Sequence, residues 1–549
     1  MNFHNNFELY GESRFEEDER ENKVDKKEWN LITKLLFAKE IPKGLSKIWR
    51  NIIFPPVTKI RNYFGEKIAL YFAFLSFYSL MLLIPSVIWI PVFVIQVLYT
   101  DGQTVVDVIN IAYTIIMVIW SAVFYEYWKR KEITYSVEWG QTDFEEDEVE
   151  KATFRGIFRR SPVHDKSEKY FSRFRRGIRV FISILITFLL IAFDIAIIVG
   201  LFRLRYYLYN QWKNYWYADY SITVVSVINA IVIFIFNYIF FYVSFVLTNF
   251  ENFKTQTEFE KSIIIKNFIF QFVNCYNSLF YIAFLKRDIE GCLDYNSAGK
   301  LTLSKDYLCF NEIYVQLRSI FVLAIIKNFY EIGAPFIFGL LRSRSKQKTY
   351  KKLEEAKEDK QKLILRIEKN ADKSAYGYED LDGTYYDYQE VLIQMGYILL
   401  FGLSFPLWII LALINNIIEH QVDRAKMLYL TRRPTPLGAE NIGSWRIIFY
   451  VLMIVGVFCY AGILCITSLT FSSSTKDSFT EFVWCSILFL MLKWIISYMI
   501  PDIPEKLVIV RSIKIYIFRS WKDTDSLLTS TWLECQRHQR TIRLKLVKL

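Results

Sequence analysis

Histidine and cysteine are scarce in this chain, with four His and seven Cys in 549 residues. No two cysteines form a CxxC pair, and only His538 lies near a Cys, Cys535, too little for a zinc site. Cys275, Cys459, Cys465 and Cys485 sit inside apolar runs, as small buried hydrophobes do. The P-loop, GxSxG and HExxH patterns are missing, as are internal repeats and low-complexity tracts. The N-terminus is acidic and has no apolar core region, so no cleavable signal peptide is expected. The most informative absence is of charge. From Ile68 to Trp128 there is no Lys or Arg, and the only acids are Asp101, Asp107 and Glu126. Ser221–Phe250 and Val391–Ile418 carry no charge of either sign.

What fills these intervals is apolar. Hydrophobic types make up 53% of the chain and aromatics 18%, while charged types still reach 22%. A run of roughly 18 apolar residues is long enough to cross a bilayer. Blocks of this kind exclude a soluble multidomain enzyme, and their hydrophobicity excludes disorder. The net charge of +11 is what loop bias gives a membrane protein, so no nucleic-acid partner is expected.

The fold class expected is an all-α polytopic membrane protein with ten transmembrane helices. The spans fall near 68–98, 104–127, 178–202, 221–248, 264–285, 310–340, 386–403, 406–427, 445–470 and 480–500. Residues 1–66 then form a cytosolic N-terminal region, 67–504 the transmembrane domain, and 505–549 a basic cytosolic tail. The connections after spans two, six and eight and the tail are rich in Lys and Arg, and the opposite set is poor in them. Positive loops mark the cytosolic side, so both termini are expected there. The stretch 203–220, dense in Tyr and Trp, is expected as an aromatic belt in the opposite loop. Lys26–Arg50 mixes aromatic and aliphatic residues with Lys, and suits either an anionic leaflet or an ordinary packed helix. Residues 351–373 suggest a charged helix between spans six and seven.

Ionisable groups inside spans are costly and usually functional. Here they are Glu331, Asp387, Glu390, Glu419 and Asp423, with Lys327 nearby. Spans seven and eight meet at a tight break, Gly402-Leu403-Ser404-Phe405-Pro406, which permits a helical hairpin. Glu390 and Asp387 precede the break by about as many residues as Glu419 and Asp423 follow it. With a rise of 1.5 Å per residue all four lie roughly 20–25 Å below the turn, at one depth. Asp387 and Glu390 are i,i+3 and Glu419 and Asp423 are i,i+4, so each pair shares a helix face. Glu331 has the right depth on span six to join them. Five such carboxylates must protonate, pair with lysine or bind metal. An all-oxygen set points to Ca²⁺ or Mg²⁺, and the crowding favours Ca²⁺. The alternative is that these acids cap helix ends and bind nothing.

These residues also carry a family resemblance. The motifs are YFGEKIALYFAFLSFY (63–78), EYWKRKEITYSVEWG (126–140), ENFKTQTEFEKSIIIKNFIFQFVNCYNSLFYIAF (251–284), NFYEIGAP (328–335), YYDYQEVLIQMGY (385–397), SFPLWIILALINNIIEHQVDRAK (404–426), RRP and NIGSW (432–445), and IPDIPEKL (500–507). Over roughly 63–507 the chain resembles the anoctamins, a family of calcium-activated chloride channels and lipid scramblases. The resemblance implies ten spans, a homodimer, a groove in each subunit built from spans three to seven, and two Ca²⁺ ions between spans six, seven and eight. It places calcium carboxylates on Glu331, Asp387, Glu390, Glu419 and Asp423, and a weaker oxygen ligand on Asn415. Three departures stand out. Lys327 replaces the Asn common four residues before the span-six Glu, and a protonated lysine cannot ligate Ca²⁺. It acts either as a partial counter-charge in the site or as a lysine snorkelling to the interface. No Gly occurs between Asn311 and Ile332, so a calcium-driven bend of that helix is not implied. About 66 residues stand where the family has a large cytosolic domain.

In this family lipid headgroups or anions follow a membrane-facing groove. The candidates on span four are Ser221, Thr223, Ser226 and Asn229, and on span five Asn274, Asn277 and Ser278; each also suits ordinary helix packing. Arg318 on span six needs a phosphate, an anion or a carboxylate, and Asp194 on span three is the partner considered. Cys292 and Cys309 flank the loop between spans five and six, as a lumenal disulfide or two thiols. The function expected is passive, calcium-modulated phospholipid scrambling, with phospholipids as partners and ions as further cargo, in the plasma membrane or endoplasmic reticulum. An anion channel moving small anions is the alternative. A non-transporting membrane tether or assembly subunit is the alternative from another class. No enzymatic activity is expected.

Overall fold

The computed structural model describes residues 55–98, 103–142, 144, 148–160, 167–212, 215, 220–295, 301–304, 309–327, 375–378, 381–467, 475–505, 507–509 and 512. Helix α1 (Val57–Phe64) turns at Gly65 into α2 (Glu66–Leu98), followed by α3 (Gln103–Trp139). A hairpin of β1 (Ile157–Arg160) and β2 (Ser167–Tyr170) precedes α4 (Arg173–Trp212) and α5 (Tyr220–Glu251). Helix α6 (Gln256–Phe280) runs on through a π turn, Tyr281–Leu285, to Ile289. A second hairpin, β3 (Cys292–Tyr295) with β4 (Leu301–Ser304), leads to α7 (310–327). After the short β5 (Gly377–Tyr378) and β6 (Leu381–Asp382) come α8 (Thr384–Phe401), α9 (Trp408–Ala425), α10 (Ser444–Gly462) and α11 (Thr475–Met499).

Among the described residues, seven helices are long and apolar enough to cross a membrane: those of α2 to α6, α10 and α11. The chain is a polytopic, all-α membrane protein with small hairpins between helices. The regions 1–54, 328–374 and 513–549 lie outside the described residues. With them go Lys26–Arg50, Glu331, the expected charged helix, Cys535, His538 and most of the basic tail.

Helix α8 sits at the centre, against α2, α6, α9 and α10, and is buried nearly all round. Two glycines permit this closeness. A Cβ on Gly456 of α10 would stand 2.5 Å from the Leu399 carbonyl oxygen, and one on Gly396 would stand 2.0 Å from the Tyr276 hydroxyl. Helix α4 is built differently. Its buried residues form one stripe at helical spacing: Ser183, Thr187, Ile191, Asp194, Ile198, Phe202, Arg205 and Tyr209. Phe181, Leu185, Phe188, Leu189 and Phe193 face outward, as expected of a helix bathed in lipid on its other sides. The helix continues to Trp212. The expected loop at 203–220 is therefore helical over its first part, with Arg205 buried in the bundle and Tyr206 and Tyr207 exposed.

Candidate cation site and polar seam

The break at Gly402–Pro406 does join two antiparallel helices: α8 ends at Phe401 and α9 starts at Trp408. Asp387 lies in the first turn of α8, and Asp423 near the end of α9, both far from the hairpin. Asp387, Glu419, Asp423 and Asn415 are all buried. The structure brings Asp387 and Asp423 together through a residue that the sequence pattern did not single out. The Lys426 ammonium lies 2.9 Å from Oδ1 of Asp387 and 2.9 Å from Oδ1 of Asp423. Only the first contact has hydrogen-bond geometry; Oδ1 of Asp423 is in ionic contact with no directed donor.

Two phenols serve the other oxygens. Tyr71 of α2 donates to Oδ2 of Asp423 at 2.5 Å, and Tyr376, just before β5, donates to Oδ2 of Asp387. Tyr71 also faces the charges of Asp387 and Glu419. Lys327, at the end of described α7, pairs with Glu390. Gln394 links the two helices by donating to Asn416 Oδ1 at 2.9 Å and accepting from Asn415 Nδ2 at 3.0 Å. Sequence spacing offered one clue to Lys426, its i,i+3 relation to Asp423. Tyr71 comes from a segment 352 residues away, and Tyr376 lies 11 residues before Asp387 across the β5–β6 turn; neither stands at a helical spacing from its partner.

Chemically, the donors fit a hard cation. They are carboxylate and amide oxygens, and one buried carboxylate oxygen lacks a directed partner. Among the described residues, no three acidic, His or Cys side chains converge into a ready metal site. Ammonium groups stand between the carboxylates instead.

A second polar feature runs along α4, α5 and α6. Ser226, Asn229 and Asn274 are buried between these helices, Ser221 and Ser278 with them, and Asn277 and Thr223 are half-buried. Asn229 donates to Ser278 Oγ at 3.2 Å, and Asn274 donates to the Ile233 carbonyl at 3.0 Å and to Asn237 Oδ1 at 2.9 Å. Yet many polar atoms in this seam have no hydrogen-bond partner among the described residues. They are both oxygens of Asp194, the amide of Gln271, Oδ1 of Asn229 and of Asn274, Oγ of Ser221, Nε of Arg205 and Nε2 of Gln316.

A buried ion pair lies at each end of the seam. Toward the β3–β4 hairpin, Glu312 of α7 accepts from Arg205 at 2.6 Å, from Lys286, and from the Leu293 backbone N–H at 2.8 Å. Leu293 adjoins Cys292, which is disulfide-bonded to Cys309. At the other end, Lys266 pairs with Glu251 at 2.5 Å and donates to Ser183 Oγ at 3.3 Å. The pairing of Arg318 with Asp194 is not found. Arg318 is exposed and lies 5.7 Å from the Tyr314 ring centroid, while the Asp194 carboxylate is buried on a different helix with no hydrogen-bond donor among the described residues. The buried arginine that does find a carboxylate is Arg205.

Comparisons with known proteins agree with this architecture. The family described as "Anoctamin: Calcium-activated chloride channel" matches residues 60–512. The chain is similar to Anoctamin-5 of Mus musculus, 28% identical over 495 residues that cover 77% of this chain and 53% of that protein. It is similar to Anoctamin-10 of Homo sapiens, 27% identical over 485 residues, covering 86% of this chain and 68% of that protein. Against Anoctamin-4 of Homo sapiens it is 29% identical over 473 residues, covering 76% and 48%. It thus spans about half the length of Anoctamin-5 and Anoctamin-4. With a family match that takes in α2 to α11 and both polar regions, the chain belongs to the anoctamin family.

Proposed function

We propose that this protein is a passive phospholipid scramblase, modulated by calcium, in which headgroups and accompanying ions move along the seam of α4, α5 and α6. The observation that carries this reading is the row of buried polar atoms without hydrogen-bond partners among the described residues. Buried polar groups in folded proteins nearly always find hydrogen bonds, and in hydrocarbon an unmet one is costlier still. Such a row therefore supports a path that water or headgroups enter while the acyl tails stay in lipid.

The rest of the reading follows the family and the charge pattern. The protein crosses the membrane ten times with both termini cytosolic, in the plasma membrane or the endoplasmic reticulum. Two copies form a dimer. Asp387, Glu390, Glu419, Asp423 and Glu331, with Asn415, hold calcium, the first four on the faces of α8 and α9. Bound there, calcium would supply positive charge that offsets the repulsion among these carboxylates. The residue divisions 1–66, 67–504 and 505–549 belong to the same proposal.

The test is reconstitution of the purified chain in liposomes, with a fluorescent-lipid flipping assay run beside an anion-flux assay. Lipid movement accelerated by calcium is the expected result. Anion flux without lipid movement would replace this reading by an anion channel, and neither activity by a tether or assembly subunit.

A further inference from the structure

The carboxylates of the candidate cation site are already served by cations of the chain itself. Lys426 lies between Asp387 on α8 and Asp423 on α9, 2.9 Å from an oxygen of each. Lys327 pairs with Glu390 from α7. Their two ammoniums offset half the formal charge of the four described carboxylates. Tyr376 and Tyr71 take the remaining oxygens of Asp387 and Asp423 as hydrogen-bond acceptors.

We infer that Lys426 is a tethered competitor for the cation site, with Lys327 acting likewise at Glu390, so that calcium binds only by displacing lysine ammoniums. The inference rests on the reading of these carboxylates as the calcium site. Three observations carry it. First, Lys426 bridges the same two helices that a metal ion would bridge. Second, its contact with the fully buried Asp423 is ionic without hydrogen-bond geometry, so one lobe of that carboxylate is left for a better cation. Third, Lys426 opens a π turn, Lys426–Leu430, whose last carbonyl-capping bonds come from Thr431 N–H (2.9 Å) and Oγ1 (3.0 Å) onto the Lys426 carbonyl. A π turn holds an extra residue in the helix and recurs at functional sites. The lysine and the metal share one set of oxygens, so each must weaken the other's hold.

The experiment measures radiocalcium binding and thermal unfolding of the purified full chain in lipid nanodiscs, for wild type, Lys426→Gln, Lys327→Asn and Asp387→Asn. Lys426→Gln should bind calcium about tenfold more tightly than wild type. It should unfold at a lower temperature without calcium, and calcium should recover a larger shift than in wild type. Lys327→Asn should move both readings the same way and less far. An affinity within twofold of wild type for Lys426→Gln, with binding abolished by Asp387→Asn, overturns the competitor role and leaves the site standing. Unchanged binding in Asp387→Asn overturns the site, and the inference with it. Should Lys426→Gln fail to fold, wild type answers alone. Acylation of Lys426 by an amine-reactive ester, read by mass spectrometry, should rise several-fold at a calcium concentration where radiocalcium is bound. Labelling that does not change with bound calcium overturns the inference.

Discussion

At one end of the seam the buried Glu312 holds two cations, one of them Arg205 of α4; eleven residues back along that helix, the buried Asp194 holds none among the described residues. Glu312 accepts from Arg205, Lys286 and a backbone N–H, and it ties α7 to α4, to the end of α6 and to the β3–β4 hairpin. Asp194 packs at the interface of α4 with its neighbours, with neither oxygen hydrogen-bonded among the described residues. Both groups are fully buried. The difference is one of assignment. The first carboxylate is part of a clasp whose charges are all internal to the fold. The second has a valence that the fold leaves open, which a guest such as water or an ammonium-bearing headgroup can fill. If that division is right, deleting the two carboxylates should move stability in opposite directions.

The largest effect is expected at the clasp. Glu312→Ala strands two buried cations, a change that costs about 3–5 kcal/mol when a buried pair loses one partner. The apparent unfolding temperature should fall sharply, and the double variant Glu312→Ala with Lys286→Met should recover part of the loss. No recovery would mean that the three charges do not act as a unit. Next comes the disulfide. Cys292 and Cys309 are 17 residues apart in sequence, and closing a loop of that length stabilises by about 3 kcal/mol. Cys292→Ser should lower the unfolding temperature by an intermediate amount. It should also loosen Leu293, whose N–H the glutamate accepts, so hydrogen exchange at that amide should quicken.

Asp194→Leu is expected to do the reverse. Replacing an unpartnered buried carboxylate by a hydrocarbon of similar reach removes a desolvation cost of about 1–3 kcal/mol. The variant should be as stable as wild type or more so, while its lipid flipping slows because the seam has lost a polar foothold. A strong destabilisation would show that Asp194 has a structural partner after all, and would erase the contrast with Glu312.

The contrast was only partly legible in the sequence. The uncharged runs and the Gly402–Pro406 break located the helices, because hydrophobic length is a local property, and helical rise gives the expectation that Asp387, Glu390, Glu419 and Asp423 share one depth. The clasp was hidden by a boundary. With α4 expected to end at 202, Arg205 fell in a loop of aromatic residues, and Arg318 was matched to Asp194 in its place. The helix runs on to Trp212, which puts Arg205 one step along the same buried stripe as Asp194, Ile198 and Phe202. Lys426 was legible as one of several basic residues after span eight, at i,i+3 to Asp423. Its bridge to Asp387 depends on how α8 and α9 lie side by side, and no residue spacing within one helix encodes that. Tyr71 reaches Asp423 from 352 residues away, where long-range packing alone decides the partner, while Tyr376 reaches Asp387 from 11 residues upstream by way of the β5–β6 turn.

The smallest effect sharpens what burial contributes. Arg159 and Glu168 face each other across the β1–β2 hairpin at 2.8 Å, a distance close to that of Arg205 and Glu312, and the Arg159 guanidinium also lies 3.7 Å from the centre of the Tyr170 ring. The side chains are 46% and 26% exposed, where those of the clasp are 2% and 0%. Water already solvates both ions, so joining them gains little and breaking them strands nothing; such pairs are worth about 0–1 kcal/mol. Arg159→Ala should therefore leave the unfolding temperature nearly where it was, and raising the salt concentration should narrow even that gap, since exposed pairs are screened and buried ones are not. A loss as large as that of Glu312→Ala would mean that the number of ion pairs, and not their burial, sets the stability of this fold, and the contrast between Glu312 and Asp194 would lose its physical basis.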